Sequence, residues 1–203
     1  MNRAVFLDRD GVINELIYYP EQGIVDSPFT AIQFKLIPRI CEVINKLHEL
    51  GFKTVVISNQ PGIAKGHFTK ETFEEIREKM KGELAKRGAF VDKEYYCFHH
   101  PKAKLAQLRI DCECRKPKAG LLLQAAKDMG INLSESWIVG DGLTDVMAGK
   151  NAGCRTILLG SMKCELCLLM DKEGARPEFI TSNLLEIIKL VASNQTKSQN
   201  NPE

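Results

Sequence analysis

The sequence predicts an α/β fold, and three observations carry the prediction. Short β-branched or apolar runs alternate with longer segments whose apolar residues recur at helical spacing. The longer segments close on glycines such as Gly51, Gly88 and Gly130, the usual helix stop. Acidic and polar residues follow several of the short runs directly, and an open parallel sheet binds ligands beyond the carboxyl ends of its strands. Strands separated by helices imply a Rossmann-like parallel sheet covered on both faces.

The first strand is the run Val5-Phe6-Leu7, which ends in Asp8-Arg9-Asp10-Gly11. Side chains at i and i+2 share a face, so a strand end delivers both acids to one place. Two carboxylates held that close repel unless a cation or a shared proton intervenes. Gly11 permits a sharp turn or a close approach to a ligand. Glu15 to Pro38 then leads to a helix from Arg39 to Leu50, with Ile40, Val43, Ile44, Leu47 and Leu50 at helical spacing. Lys53 to Ile57 is the second strand, ending at Ser58-Asn59-Gln60-Pro61. Thr69 caps a helix running to about Arg87, with Phe73, Ile76, Met80 and Leu84 on one face. Its many Glu and Lys form a solvated face.

Glu94 to Phe98 is a third strand, Ala119 to Met129 a helix, and Trp137 to Gly140 a fourth strand. Asp145 to Ala152 is a helix, Thr156 to Leu159 a fifth strand, Phe179-Ile180 a short sixth, and Asn183 to about Ser193 the last helix. Residues 1–193 are read as one domain and 194–203 as a disordered polar tail. No large cap domain is visible, so the site is expected to be open.

Composition narrows the function. The chain has 203 residues, enough for one sizeable core, and a formal net charge of +2, which gives no basic field for nucleic acid. No apolar run approaches the ~20 residues that span a bilayer, and no secretory signal is seen ahead of the first strand. Seven cysteines, an odd number, fit core or metal-bound thiols in a reducing cytoplasm better than disulfides.

Asp141 follows Gly140 at the fourth strand end, and Asp145 stands four residues on. With Asp8 and Asp10, Asp141 makes a hard-oxygen site suited to Mg²⁺. Arg115 and Lys116 precede the helix that leads into this strand; a lysine there neutralises phosphate oxygens, and an arginine grips a phosphate or a sugar hydroxyl. Ser58 adds a hydroxyl. Singly, each of these residues reads as a turn, a cap or a surface charge. Their joint placement at successive strand ends does not.

DRDG, ISNQ, RKPK and GDGLTD, in that order, resemble the four motifs of the haloacid-dehalogenase-like (HAD) phosphatases, over Arg3 to about Gly160. DRDG followed by SNQPGIAKG and by the segment from Cys97 to Pro117 is similar to the group containing D-glycero-D-manno-heptose 1,7-bisphosphate 7-phosphatase and the histidinol-phosphate phosphatase domain. The resemblance implies Asp8 as nucleophile and Asp10 as acid and base. It implies Mg²⁺ held by Asp8, the Asp10 carbonyl and Asp141, with Ser58 and Lys116 stabilising the phosphoryl group. It also implies Asn59 supporting the loop at the substrate and Arg115 contacting the substrate. Asp145 is read as supporting this arrangement or capping its helix.

Cys97-x-His99 and Cys112-x-Cys114 supply the donors of a tetrahedral Cys₃His zinc site, at tighter spacing than a zinc finger. In the resembled group these four positions hold a structural zinc. The intervening residues are too polar to pack as a core, so zinc would staple the loop just before Arg115-Lys116. His100 either contacts substrate or orients the loop. Cys164 and Cys167 form a C-x-x-C without a second pair and are read as part of a partly buried loop or helix. Cys41 and Cys154 are read as core, His48 and His67 as structural or exposed. In the entrance segment Tyr18, Tyr19 and Gln22 either line a sugar pocket or pack the loop; the segment departs from the Gly-Tyr-rich version of the heptose enzymes.

The expected function is Mg²⁺-dependent phosphomonoester hydrolysis through an aspartyl-phosphate. The leading substrate is the heptose bisphosphate and histidinol phosphate the alternative. A polynucleotide 3′-phosphatase, a zinc-dependent nucleic-acid protein and a non-catalytic binding module are the competing readings. The expected partner is a small phosphorylated substrate rather than nucleic acid or membrane, and the expected assembly a cytoplasmic monomer.

Overall fold

The computed structural model describes residues 1–160 and 169–193. Cys164, Cys167 and the polar tail lie outside the described residues. Six strands form one parallel sheet in the order β5-β4-β1-β6-β7-β8. They are β1 (Arg3–Leu7), β4 (Phe52–Asn59), β5 (Lys93–Cys97), β6 (Trp137–Gly140), β7 (Arg155–Leu159) and β8 (Phe179–Thr181). The helices are α1 (Ile40–Glu49), α2 (Gly62–Lys65), α3 (Lys70–Ala85), α4 (Gly120–Met129), α5 (Leu143–Ala152) and α6 (Glu186–Ser193). No described helix is long and apolar enough to cross a membrane.

The two-residue side-chain period divides the central strands between two cores. Val5 and Leu7 of β1, Val56 of β4, and Trp137 and Val139 of β6 point to one face. There they meet Ile40, Val43, Ile44 and Leu47 of α1, Ile76, Met80 and Leu84 of α3, and Ile187 and Val191 of α6. Ala4 and Phe6, Val55 and Ile57, and Ile138 point to the other, against Leu121, Leu122 and Ala125 of α4 and Ala148 of α5. The expected α/β sheet with helices on both faces is therefore what forms.

Several boundaries differ from the expectation, each for a local reason. β4 runs on to Asn59 because β5 pairs with it through Asn59↔Cys97, so Ser58 and Asn59 are the last strand residues. α5 begins at Leu143, placing Asp145 in its first turn. α6 begins at Glu186, because Thr181 and Asn183 form a side-chain-bonded turn ahead of it. The segment between β1 and α1 contains a hairpin with no clear signal in the sequence, β2 (Ile17–Tyr19) and β3 (Ile24–Asp26). Tyr19 packs this loop: its ring stacks on Phe29 at 4.0 Å and its hydroxyl donates to the Ser27 carbonyl. Tyr18 is exposed, opposite Val25 across the hairpin. The helical turn α2 was also unforeseen, being too short to show a period.

The minor histidines and cysteines have structural places. Cys154 is buried in the α4 and α5 core, and Cys41 is partly buried against the other. His48 bonds Asp92 and Thr54 and stacks on Phe90, and His67 lies against Phe29.

Candidate active site

β1 and β6 are neighbours, and from them the chain winds outward in opposite directions, to β4 and β5 on one side and to β7 and β8 on the other. That reversal leaves a crevice beyond their carboxyl ends. Asp8 follows β1, its backbone N–H still bonded to the Val139 carbonyl of β6, and Asp141 follows β6. The crevice is a cleft of about 280 Å³ whose lining includes Asp8, Asp10, Ser58, Asn59 and Asp141. Leu16, Val25, Asp26 and Ser27 form its hairpin side. The Asp10 loop presses closely on Asp141. Gly11 sits at φ 81°, and a Cβ there would fall 2.1 Å from the Asp141 Oδ2 atom.

Lys116 enters from beneath. Its side chain is buried, and Nζ donates to the Ile57 carbonyl (2.9 Å), to Asp8 Oδ2 (3.0 Å) and to Asp145 Oδ1. Burial alone would strip the ammonium of its proton, but the Asp145 and Asp8 carboxylates outweigh it and hold its pKa well above the usual value. Asp145 also accepts from the Gly142 N–H, so it both anchors Lys116 and caps α5, as expected of it. Burial pushes its carboxyl up to about 6 against the pull of Lys116. Asp141 has no such ammonium in contact. Burial, then the charges of Asp8 and Asp145, push it up to about 7. A carboxyl so displaced marks a strongly negative potential. Asp8, Asp141 and Asp145 bring oxygens within 4.8 Å of one another, but Asp145 spends its oxygens on Lys116 and Gly142. Asp8 and Asp141 are the pair left facing the cleft.

Gly140 makes this arrangement possible. A Cβ on it would fall 2.1 Å from the Asp145 Cγ atom. Gly140→Ala must expel Asp145 and thereby leave Lys116 with one carboxylate. The expected result is a loss of about 3–5 kcal/mol in denaturant unfolding, the usual cost of breaking a buried ion pair, with turnover falling alongside. Unchanged stability would show that Asp145 is free to move.

Asp10 stands under a cluster of donors that sequence reasoning missed. Arg9, fully buried, reaches it through Nε (3.2 Å) and Nη2 (3.1 Å). Asn14 Nδ2 donates to it at 2.9 Å, and Gln60 Nε2 donates to its other oxygen. Gln60 Oε1 in turn accepts from Arg9 Nη2 at 2.7 Å, and Gln60 Nε2 also donates to Ser58 Oγ at 3.0 Å. Arg9 and Gln60 lie inside the DRDG and SNQPGIAKG motifs, and Asn14 lies outside them. The only available signal was that a strand-end arginine flanked by acids has no solvent to enter.

The remaining expected residues are placed as follows. Asn59 Oδ1 accepts from the Lys116 N–H and its Nδ2 donates to the Lys116 carbonyl, both at 3.0 Å. Its side chain is thus committed to holding the Lys116 backbone, the loop-supporting part of its expected role. Arg115 Nη1 donates to the His99 carbonyl at 3.1 Å, tying it to the thiol loop. His100 Nδ1 accepts from the Lys102 N–H, a loop-orienting contact.

Cys97, His99, Cys112 and Cys114 converge. The Cys97, Cys112 and Cys114 sulfurs lie 3.1–3.5 Å apart, and His99 Nδ1 is 3.4 Å from the Cys114 sulfur. Tetrahedral zinc holds sulfurs ~3.8 Å apart, so the cluster is close to the right size. Burial works against ionising Cys112, yet hydrogen bonds from Cys114, Cys97 and His99 bring its thiol down to about 7. Burial and the same sulfurs push Cys114 well up. Thiols this close oppose one another's ionisation, and a bound cation would let all three ionise. The donor set fits zinc.

Comparison with known proteins places these features in context. A family model described as HAD-hydrolase-like matches residues 113–187. D-glycero-β-D-manno-heptose-1,7-bisphosphate 7-phosphatase of Pasteurella multocida is 40% identical over 159 residues, 78% of this chain and 82% of that protein. The protein of the same name from Escherichia coli K12 is 39% identical over 196 residues, 97% of each chain. A crystal structure of D,D-heptose 1,7-bisphosphate phosphatase from B. bronchiseptica, complexed with magnesium and phosphate, superposes with a TM-score of 0.75. It is 27% identical and covers 95% of this chain and 99% of that one.

Proposed function

The chain belongs to the HAD-like phosphatases, and on that premise we propose that it hydrolyses the C7 phosphomonoester of D-glycero-β-D-manno-heptose 1,7-bisphosphate through an aspartyl-phosphate. The observation that carries the chemistry is the Asp8 carboxylate held at 3.0 Å by a buried ammonium, beside a second carboxylate it cannot neutralise. The substrate rests on the relatives' names, which agree over nearly the whole chain.

The Asp8 oxygen facing the cleft attacks phosphorus while Lys116 holds its other oxygen in place and offsets part of the charge. As the phosphorus–oxygen bond to the sugar breaks, Asp10 delivers a proton to the departing alkoxide. Water then attacks the aspartyl-phosphate, Asp10 takes the proton of that water, and inorganic phosphate leaves with Asp8 restored. Ser58 accepts a hydrogen bond from Gln60, which leaves its own O–H free for a phosphoryl oxygen. Asp8, Asp141 and the Asp10 carbonyl would hold Mg²⁺, which when bound screens the attacking carboxylate from the phosphate dianion.

Zinc would occupy Cys97, His99, Cys112 and Cys114. It would fix the loop whose continuation carries Arg115, which would meet the substrate beyond the phosphate through the guanidinium nitrogens not bonded to the His99 carbonyl. A thiolate site and five free cysteines among the described residues fit a reducing cytoplasm.

The test is a panel of kcat/KM values with Mg²⁺ for heptose bisphosphate, histidinol phosphate and other small phosphomonoesters. Heptose bisphosphate is expected to lead by about tenfold or more, the discrimination that one or two substrate contacts supply. A lead for histidinol phosphate would replace the substrate assignment.

A further inference from the structure

We infer that Arg9 is a positioning residue for phosphoryl transfer, orienting Asp10 both directly and through Gln60. The inference rests on the reading of Asp10 as acid and base given above.

A guanidinium only donates hydrogen bonds. Arg9 Nη2 lies 2.7 Å from one end of the Gln60 amide, so that end must be the oxygen. The amide nitrogen is then obliged to face the other way, where its two hydrogens meet Asp10 Oδ2 and Ser58 Oγ. One buried arginine thereby sets the orientation of the Gln60 amide and the direction of its bonds to Asp10 and Ser58. Asp10 is held by the Nε and Nη2 fork of Arg9 and by the amide that Arg9 has oriented, with Asn14 as a third donor. Ser58 is left as an acceptor toward Gln60 and a donor toward the cleft.

The location argues for function over packing. A fully buried arginine is rare without a strong partner. Arg9 lies against the Phe73 ring at 5.7 Å, and its Nη1 has no hydrogen-bond partner among the described residues. A leucine or methionine would fill that space without leaving a donor unmatched. What neither supplies is the fork on Asp10.

The experiment uses leaving groups to isolate Asp10. A p-nitrophenolate leaves without a proton, whereas the sugar alkoxide needs one. Both esters depend equally on Ser58 and on the nucleophile, so only failure of proton delivery separates them. Arg9→Met and Gln60→Met are compared with wild type on heptose bisphosphate and on p-nitrophenyl phosphate, with Asp10→Asn alongside. Each variant is expected to lower kcat/KM, which reports formation of the aspartyl-phosphate and not its hydrolysis, by about 10²-fold on the sugar ester, on the scale of general acid catalysis, and by less than about tenfold on the aryl ester. Arg9→Lys, which keeps the charge but loses the fork, is expected to restore only part of the difference.

Equal losses on both esters in Arg9→Met and Gln60→Met would overturn the inference, as would no loss in either. If Arg9→Met does not fold, Gln60→Met alone decides, since it keeps the volume and removes the amide. If Asp10→Asn itself fails to distinguish the two esters, the acid and base assignment of Asp10 falls instead.

Discussion

Asp8→Asn is expected to reduce turnover of p-nitrophenyl phosphate and of heptose bisphosphate by roughly 10⁴–10⁶-fold, the scale on which loss of a nucleophile acts. The substitution keeps the shape of the side chain and removes its ability to form an acyl phosphate. It is not expected to unfold the protein. Lys116 keeps its buried contacts with Asp145 and the Ile57 carbonyl, and the negative charge near Asp141 is lowered. Steady-state assays with Mg²⁺ measure the rate, and thermal unfolding confirms the fold. Acid-quench trapping of labelled phosphate should give a phosphoprotein with wild type and none with the variant. Full turnover by Asp8→Asn would remove the nucleophile assignment and with it the aspartyl-phosphate route.

The second large effect concerns the sulfur cluster. Cys114 touches all three other members: Cys97 at 3.2 Å, Cys112 at 3.1 Å and His99 at 3.4 Å. Cys114→Ser is expected to abolish stoichiometric zinc, read by elemental analysis of protein purified without chelator. The unfolding midpoint should fall by 10 °C or more, roughly a loss of several kcal/mol at about 2–4 °C each for a chain of this size. The activity should fall with it. Arg115 and Lys116 follow the cluster directly, and the Lys116 backbone is otherwise held by Asn59 alone among side chains of the described residues. Zinc-free wild-type protein of undiminished stability would show that the four residues pack without a metal.

The sequence made the chemistry legible where reactive residue types stand at strand ends. Asp8, Asp10, Ser58 and Asp141 could be assigned to one cleft because a parallel sheet brings all its carboxyl ends to one edge. Lys116 was legible through its motif, but its complete burial between two carboxylates was not. Arg9 and Gln60 were missed because their type reads as surface or loop when no spatial neighbours are known. The β2–β3 hairpin was missed because its strands are three residues each and only partly buried, so no alternation emerges. The fold was legible for the opposite reason: its central strands and helices are long enough to show a period, and the period sorts their residues into two cores.

The two candidate metal sites differ in where their balancing charge comes from. Among the carboxylates the polypeptide supplies its own cation: the Lys116 ammonium is sequestered between Asp8 and Asp145 by the fold itself. The acids can therefore be assembled before any ion arrives, and a divalent ion bound there can exchange with solvent from one turnover to the next. The thiols hold no such internal partner: the cluster is three sulfurs and His99, with no ammonium among its members. A metal there would be acquired with the fold and retained. Dialysis against a mild chelator should accordingly silence the enzyme long before it loosens the chain.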